Sequence, residues 1–294
     1  MTANKWAAGM PTLRFTAYAA TATASAAGVI KNISSLDSGF YHNCAIFPSM
    51  TLANGYESEY FNNVTVTGAK DSKAVVTTAN ASVRCWGQNL HNQLGSYDSQ
   101  GPGVDSANLN ALIRKVEADV PVFFGPAVIT AVKTGGFHTC ALGTQGAISN
   151  ALLCWGENDD GQLGVNPMDM SESILPTVAM GDGVSAFDVG GFNTGFIRNG
   201  AFKMFGQNMY GQNGTGNSPM SDYDWMPQIV VGGRTGVTAF TMGALHACGV
   251  FGANNTVKCW GDNSGGAVGD GVTDIDVNPN YPNVLAPTAV VLSK

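Results

Sequence analysis

One phrase recurs four times along the 294-residue chain, and self-similarity of this kind limits the fold more than any other feature. It reads Cys85-Trp86-Gly87-Gln88-Asn89 through Gln93-Leu94-Gly95, then Cys154-Trp155-Gly156-Glu157-Asn158 through Gln162-Leu163-Gly164. The third copy is Met204-Phe205-Gly206-Gln207-Asn208 through Gln212-Asn213-Gly214, and the fourth is Cys259-Trp260-Gly261-Asp262-Asn263 through Val268-Gly269. A second phrase precedes each: Phe40-Tyr41-His42-Asn43-Cys44, Gly136-Phe137-His138-Thr139-Cys140, Gly191-Phe192-Asn193-Thr194-Gly195 and Ala244-Leu245-His246-Ala247-Cys248. A third phrase, a proline followed by a short β run, opens each unit at Pro121, Pro176, Pro227 and Pro287, with Pro11 beginning the series.

Short β-rich runs separated by Gly and Asn turns, at a period near 55 residues, imply antiparallel sheets stacked side by side. The 38 glycines and the charged fraction of only 12% suit many tight turns rather than long solvated helices. Each Trp-Gly pair is expected at the end of an inner strand. There the glycine admits a neighbouring backbone and the indole fills the gap between sheets. Asn89, Asn158, Asn208 and Asn263, two residues beyond the glycines Gly87, Gly156, Gly206 and Gly261, read as turn amides that satisfy buried backbone groups. Trp86, Trp155, Phe205 and Trp260, with the recurring His42, His138 and His246, are read as blade-supporting residues.

The three phrases together resemble the repeat of the regulator-of-chromosome-condensation superfamily, in which a Pro-led strand, a Gly-x-x-His strand and Trp-Gly-x-Asn-x-x-Gly-Gln-Leu-Gly succeed one another. The resemblance covers about residues 11 to 291 and is densest in the second repeat. It implies an all-β β-propeller of four-stranded antiparallel blades in a single domain over 1–294. Four repeats are clear, against the seven usual in that family, so the ring is small or incomplete. The repeats run approximately over 11–120, 121–175, 176–226 and 227–286, with a terminal strand over 287–294. The first step holds either a long insertion over 45–84 or a degenerate fifth blade.

All six cysteines lie in the repeat phrases, and the third repeat lacks both members, having Gly195 and Met204 instead. Joint loss marks the two positions as partners, which predicts the bridges Cys44–Cys85, Cys140–Cys154 and Cys248–Cys259. The first of these favours the insertion over the extra blade. Paired cysteines indicate an oxidising compartment, hence an extracellular or cell-surface protein.

No apolar run is long enough for a membrane span. A net charge of −7 without any basic cluster argues against nucleic acid as a partner. No P-loop, Gly-x-Ser-x-Gly elbow or HExxH is present, so no catalytic residue, metal site or cofactor is expected. Asp274, Asp276 and Asn278 have the opening spacing of a calcium loop, but Pro279 and Leu285 stand where that loop needs Gly and Glu. Sequons at Asn32, Asn63, Asn80, Asn213 and Asn254 are possible glycosylation sites. Aromatics outside the phrases, Tyr56, Tyr60, Phe61, Tyr223 and Trp225, are the expected binding anchors.

The expectation is a non-catalytic extracellular structural or interaction module that self-associates or joins other subunits, as in a surface assembly or filament. The alternative is a soluble propeller that binds a protein or glycan through one face. Guanine-nucleotide exchange, the activity of the family's founding member, ranks below both.

Overall fold

The alternation of apolar and polar residues along each run turns one side of a strand to one neighbour and the other side to the next. In a stacked sheet both sides are covered, and the second blade shows it: Leu153 packs toward the first blade while Leu152 and Cys154 pack toward the third. The structure is a computed structural model that describes residues 34–47, 82–95, 128–145, 148–216, 222–271 and 283–291. Backbone alone is described at 47, 82, 84, 86 and 145 and in short strands at 14–15, 28–29, 51–53, 64–67, 75–78, 113–114 and 120–121.

The chain is all-β, a β-propeller of four antiparallel blades. Three blades are four-stranded meanders: Val128–Thr134, His138–Gln145, Ile148–Glu157 and Glu172–Met180; Val184–Val189, Asn193–Arg198, Ala201–Gln207 and Tyr223–Ile229; and Val237–Met242, His246–Phe251, Thr256–Gly261 and Val284–Ala289. The first blade has Ser35–Ser38, His42–Phe47 and Ser82–Gln88, with Ile113–Arg114 and Val120–Pro121 sharing its outer edge. Between its second and third strands, 51–53, 64–67 and 75–78 form a separate three-stranded sheet. Arg14–Phe15 pairs with Gly28–Val29. The Pro-led runs are the outer strands of their blades: Pro176 lies in Glu172–Met180 and Pro227 in Tyr223–Ile229. The repeat as written in the sequence is therefore offset by one strand from the sheet it builds. Among the described residues no helix is long and apolar enough to cross a membrane.

The first strands line the axis, where their turns touch. Phe40 N–H donates to Gly135 O (3.2 Å), Gly136 N–H to Gly191 O (2.8 Å) and Gly191 N–H to Gly243 O (3.3 Å). A Cβ on Gly135 would stand 2.6 Å from Gly190 O, so only glycine permits this approach. Asp37, Lys133 and Asp188 form a ladder across the same strands, with Lys133 Nζ 3.5 Å from both carboxylates. Among the described residues, the backbone hydrogen bonds between these turns run from first blade to second, second to third and third to fourth.

Cross-strand register places Cys44 opposite Cys85, Cys140 opposite Cys154 and Cys248 opposite Cys259, and each pair is bonded. Each bridge sits on the trailing face of its blade, toward the next. The signature aromatics Trp155, Phe205 and Trp260 sit on the leading faces of their blades, toward the one before. Trp155 packs with Cys44 and Cys85 of the first blade, and Phe205 with Cys140 and Cys154 of the second.

Trp155 Nε1–H donates to Gln93 O of the preceding blade at 3.0 Å, and Trp260 Nε1–H to Gln212 O at 2.7 Å. Gln93 O also accepts from Thr139 Oγ1 (2.9 Å), whereas Ala247 at the matching position in the fourth blade has no hydroxyl. A buried carbonyl left without a donor costs about 1–3 kcal/mol. Trp260→Phe is therefore expected to lower unfolding stability by about 2 kcal/mol. Trp155→Phe should cost about half that, since Thr139 still serves Gln93 O. Urea midpoints of the two variants decide it; equal losses would show that the indole N–H is not what locks the blades.

Candidate functional site

The turn between the first and second strands of each blade presents the residue before the recurring histidine at one mouth of the axis. These residues are Tyr41, Phe137, Phe192 and Leu245. Each is held from below, because the residue after the signature glycine donates its backbone N–H to its carbonyl. Gln88 N bonds Tyr41 O (2.8 Å), Glu157 N bonds Phe137 O (3.0 Å), Gln207 N bonds Phe192 O (2.9 Å) and Asp262 N bonds Leu245 O (2.9 Å). The glycine is indispensable: Gly156 has φ +104°, and a Cβ there would lie 2.5 Å from Phe137 O. Repeat geometry thus fixes an aromatic rosette and a polar rim around it.

Phe40 adds a ring where the next three blades have Gly136, Gly191 and Ala244. Tyr41 stacks on Phe137 (5.3 Å between centroids), Phe137 leans on Phe192 (6.1 Å), and Phe40 meets Tyr41 (6.2 Å) and Phe192 (6.3 Å) edge-on. Phe40 and Tyr41 are 49% and 55% exposed, so the rosette opens to solvent. His91 lies against Phe137 at 4.9 Å, with its Nδ1 3.6 Å from Glu157 Oε1. Burial, and then the charges of Asp159, Asp160 and Glu172, raise the Glu157 carboxyl to about 7. Burial and the same neighbour Asp159, with Asp222, also raise Asp160. Among the described residues no group of three His, Cys, Asp or Glu side chains is placed to hold a metal.

Below the rosette the histidines tie blade to blade. Thr139 Oγ1–H donates to Gln93 O, so it accepts from His42 Nε2–H, 2.7 Å away. Thr194 Oγ1 likewise donates to Gln162 O (2.8 Å) and accepts from His138 Nε2–H at 3.1 Å. This assigns both rings as the neutral Nε2–H tautomer. Burial lowers both to about 3; His138 is lowered further by His42, against a smaller opposing pull from the Asn193 backbone. In the third blade Asn193 replaces the histidine, and its amide donates to Gln207 O and to Asn213 Oδ1 (3.2 Å). Asn213 in turn stands where the other repeats have Leu94, Leu163 and Val268. His246 is only half-buried. The four turn asparagines share one role, their Oδ1 accepting from Leu94 N, Leu163 N, Asn213 N and Val268 N at 2.9–3.1 Å.

Tyr223 and Trp225 stand in the outer strand of the third blade, both half-buried. The Trp225 backbone and Cβ lie against the Gly161 turn of the preceding blade. Tyr56, Tyr60 and Phe61, the sequons at Asn32, Asn63 and Asn80, and Asp274, Asp276 and Asn278 lie outside the described residues, as does the side chain of Trp86. Asn213 is corrected as a glycosylation site: it is fully buried, and its amide also donates to Gly206 O and Asp224. Asn254 is exposed in a turn. No sequence motif marks the rosette. Its one signal in the sequence was Phe40 standing where the other copies have Gly or Ala.

Fold and site together define a repeat-built β-propeller with an aromatic mouth. Residues 129–162 match the regulator of chromosome condensation (RCC1) repeat. No curated protein matches the chain. Among solved structures the chain is similar to human WBSCR16, at 16% identity and TM-score 0.58 over 89% of this chain and 55% of that one. It is similar to Prp20p of Saccharomyces cerevisiae at 18% identity and TM-score 0.55, over 89% and 51%. The same yeast protein bound to Kap60 aligns at 18% identity and TM-score 0.56, over 86% and 60%. At such identities the likeness shows the fold alone, and the chain spans less than two thirds of each of these structures.

Proposed function

We propose that this chain is a non-catalytic protein-interaction module of an oxidising, extracellular setting, and that it assembles with further copies through the end faces of its blade stack. One observation carries the reading. Val83, Leu152, Phe202 and Val257 occupy the same position on the trailing faces of the four blades; the first three are fully buried, while Val257 is 45% exposed. At the other end Leu36 is 52% exposed where its counterpart Val132 is 1% exposed. A trailing face is complementary to a leading face by construction of the repeat, so the fourth blade of one copy fits the first blade of the next. Such head-to-tail contacts close into rings or continue as filaments.

The bonding of all six cysteines supports the oxidising setting. Yeast Prp20p, which shares the fold, has binding properties toward Gsp1p and histones and forms a complex with Kap60, which supports protein rather than small-molecule partners. Light scattering coupled to size exclusion tests the proposal. The native chain is expected to run as a dimer or larger species and Val257→Asp as a monomer. A native chain that stays monomeric as concentration rises would sink it.

A further inference from the structure

The rim of the mouth holds charge that the fold does not require. Glu157 accepts from Gln162 Nε2 at 3.2 Å, and in the third blade Gln207 does the same for Gln212 Nε2 at 3.0 Å. Gln88 occupies the position in the first blade. An amide therefore does the structural work in the third repeat. Asp160 stands where the other copies have His91, Tyr210 and Gly265, so its carboxylate is not a repeat requirement either. Both carboxyls are partly buried beside Asp159, and each accepts one amide hydrogen bond, Glu157 from Gln162 and Asp160 from Gln207 at 3.3 Å, which leaves acceptor capacity on both. Lys133, two residues before the Gly135-Gly136 turn, is already held between Asp37 and Asp188.

Beside this excess charge lies the rosette. The Tyr41 ring is stacked on Phe137, Phe137 touches His91, and His91 touches Glu157, so aromatic faces and carboxylate are within the span of one long side chain. Aromatic faces attract cations through their quadrupole, and a carboxylate alongside adds a charge-assisted partner. Preorganised rings surrounded by a polar rim are also the pattern of an energetic hot spot.

We propose that this mouth docks a basic segment of a partner protein, with an Arg or Lys head group lying over the Phe40, Tyr41 and Phe137 rings and pairing with Glu157 and Asp160. The surface is separate from the end faces, and the occupant is set by charge complementarity on a chain of net charge −7.

The probe is a tri-arginine amide, titrated calorimetrically into the full, oxidised chain, with triglutamate and triglycine amides as comparisons. Two variants use residues the repeat already tolerates: Glu157→Gln, as in the first and third blades, and Phe40→Gly, as at Gly136 and Gly191. Both should keep the native melting temperature or better. Tri-arginine is expected to bind and the comparisons not to. Each variant should weaken binding by roughly tenfold, the scale of one charge-assisted or cation–π contact. Repeating the titration on Val257→Asp reads the mouth separately from the end faces. Absence of tri-arginine binding, equal binding by triglutamate, or unchanged affinity in both variants would overturn the proposal.

Discussion

Treated with dithiothreitol, the folded chain is expected to lose stability on the scale of its whole folding free energy. The bridges Cys140–Cys154 and Cys248–Cys259 close loops of 14 and 11 residues, and Cys44–Cys85 closes one of 41. Loop-closure entropy assigns about 3 kcal/mol to each short bridge and about 4 to the long one, against the 5–15 kcal/mol that hold a typical domain. Urea midpoints with and without reductant measure the effect. An unchanged midpoint after verified reduction of all six thiols would show that packing alone holds the blades. The third blade indicates how a bridge is replaced: Gly195 faces a fully buried Met204, and Met242, Phe240 and Phe202 close on the space a Cβ at Gly195 would take. Cys140→Gly with Cys154→Met should thus cost less than Cys140→Ser with Cys154→Ser, which leaves two hydroxyls in an apolar seam.

The second large effect is expected in acid. His42 and His138 bind a proton near pH 3 when folded and near 6.5 when unfolded. The unfolded chain therefore takes up more protons between those values, and the contribution of each ring is complete above pH 6.5 and lost as the pH falls toward 3. Between pH 6.5 and 4 the loss is roughly 3 kcal/mol per ring. Glu157 acts in the opposite sense: its folded value of about 7 lies above its unfolded one, so its contribution is present below about 4.5 and lost as the pH rises through 7. Glu157→Gln removes that opposing dependence and should steepen the fall of stability in acid while raising stability above pH 7.

Replacing the histidine is informative only with its partner. His138→Asn places an amide against Leu163. His138→Asn with Leu163→Asn rebuilds the Asn193–Asn213 pair of the third blade and should flatten the acid limb. Melting temperatures from pH 4 to 8 decide it, and an acid limb unchanged in the double variant would remove His138 as its cause.

The repeat is visible because every blade must bury the same positions, so the signature aromatics, the glycines after them and the turn asparagines recur at constant offsets. Cysteine pairing was readable from their joint absence in the third repeat. Strand phase was not: proline marks an outer strand because an edge tolerates a missing N–H, and an edge can begin or end a unit with the same sequence. Asn213 reads as an exposed sequon, yet Asn193 in the neighbouring strand turns it into an internal hydrogen-bond partner.

Sequence alone determined the blade, because strand period, turn chemistry and cross-strand cysteines are local and act within about 55 residues. Tertiary structure alone decided what lies between blades and at their ends. Val257 and Leu152 are equivalent apolar letters, and only the presence or absence of a covering neighbour makes one exposed and the other core. Likewise Phe40, Tyr41, Phe137 and Phe192 come from three repeats, and they form a single surface only because close-packed glycine turns bring the strand ends to one axis.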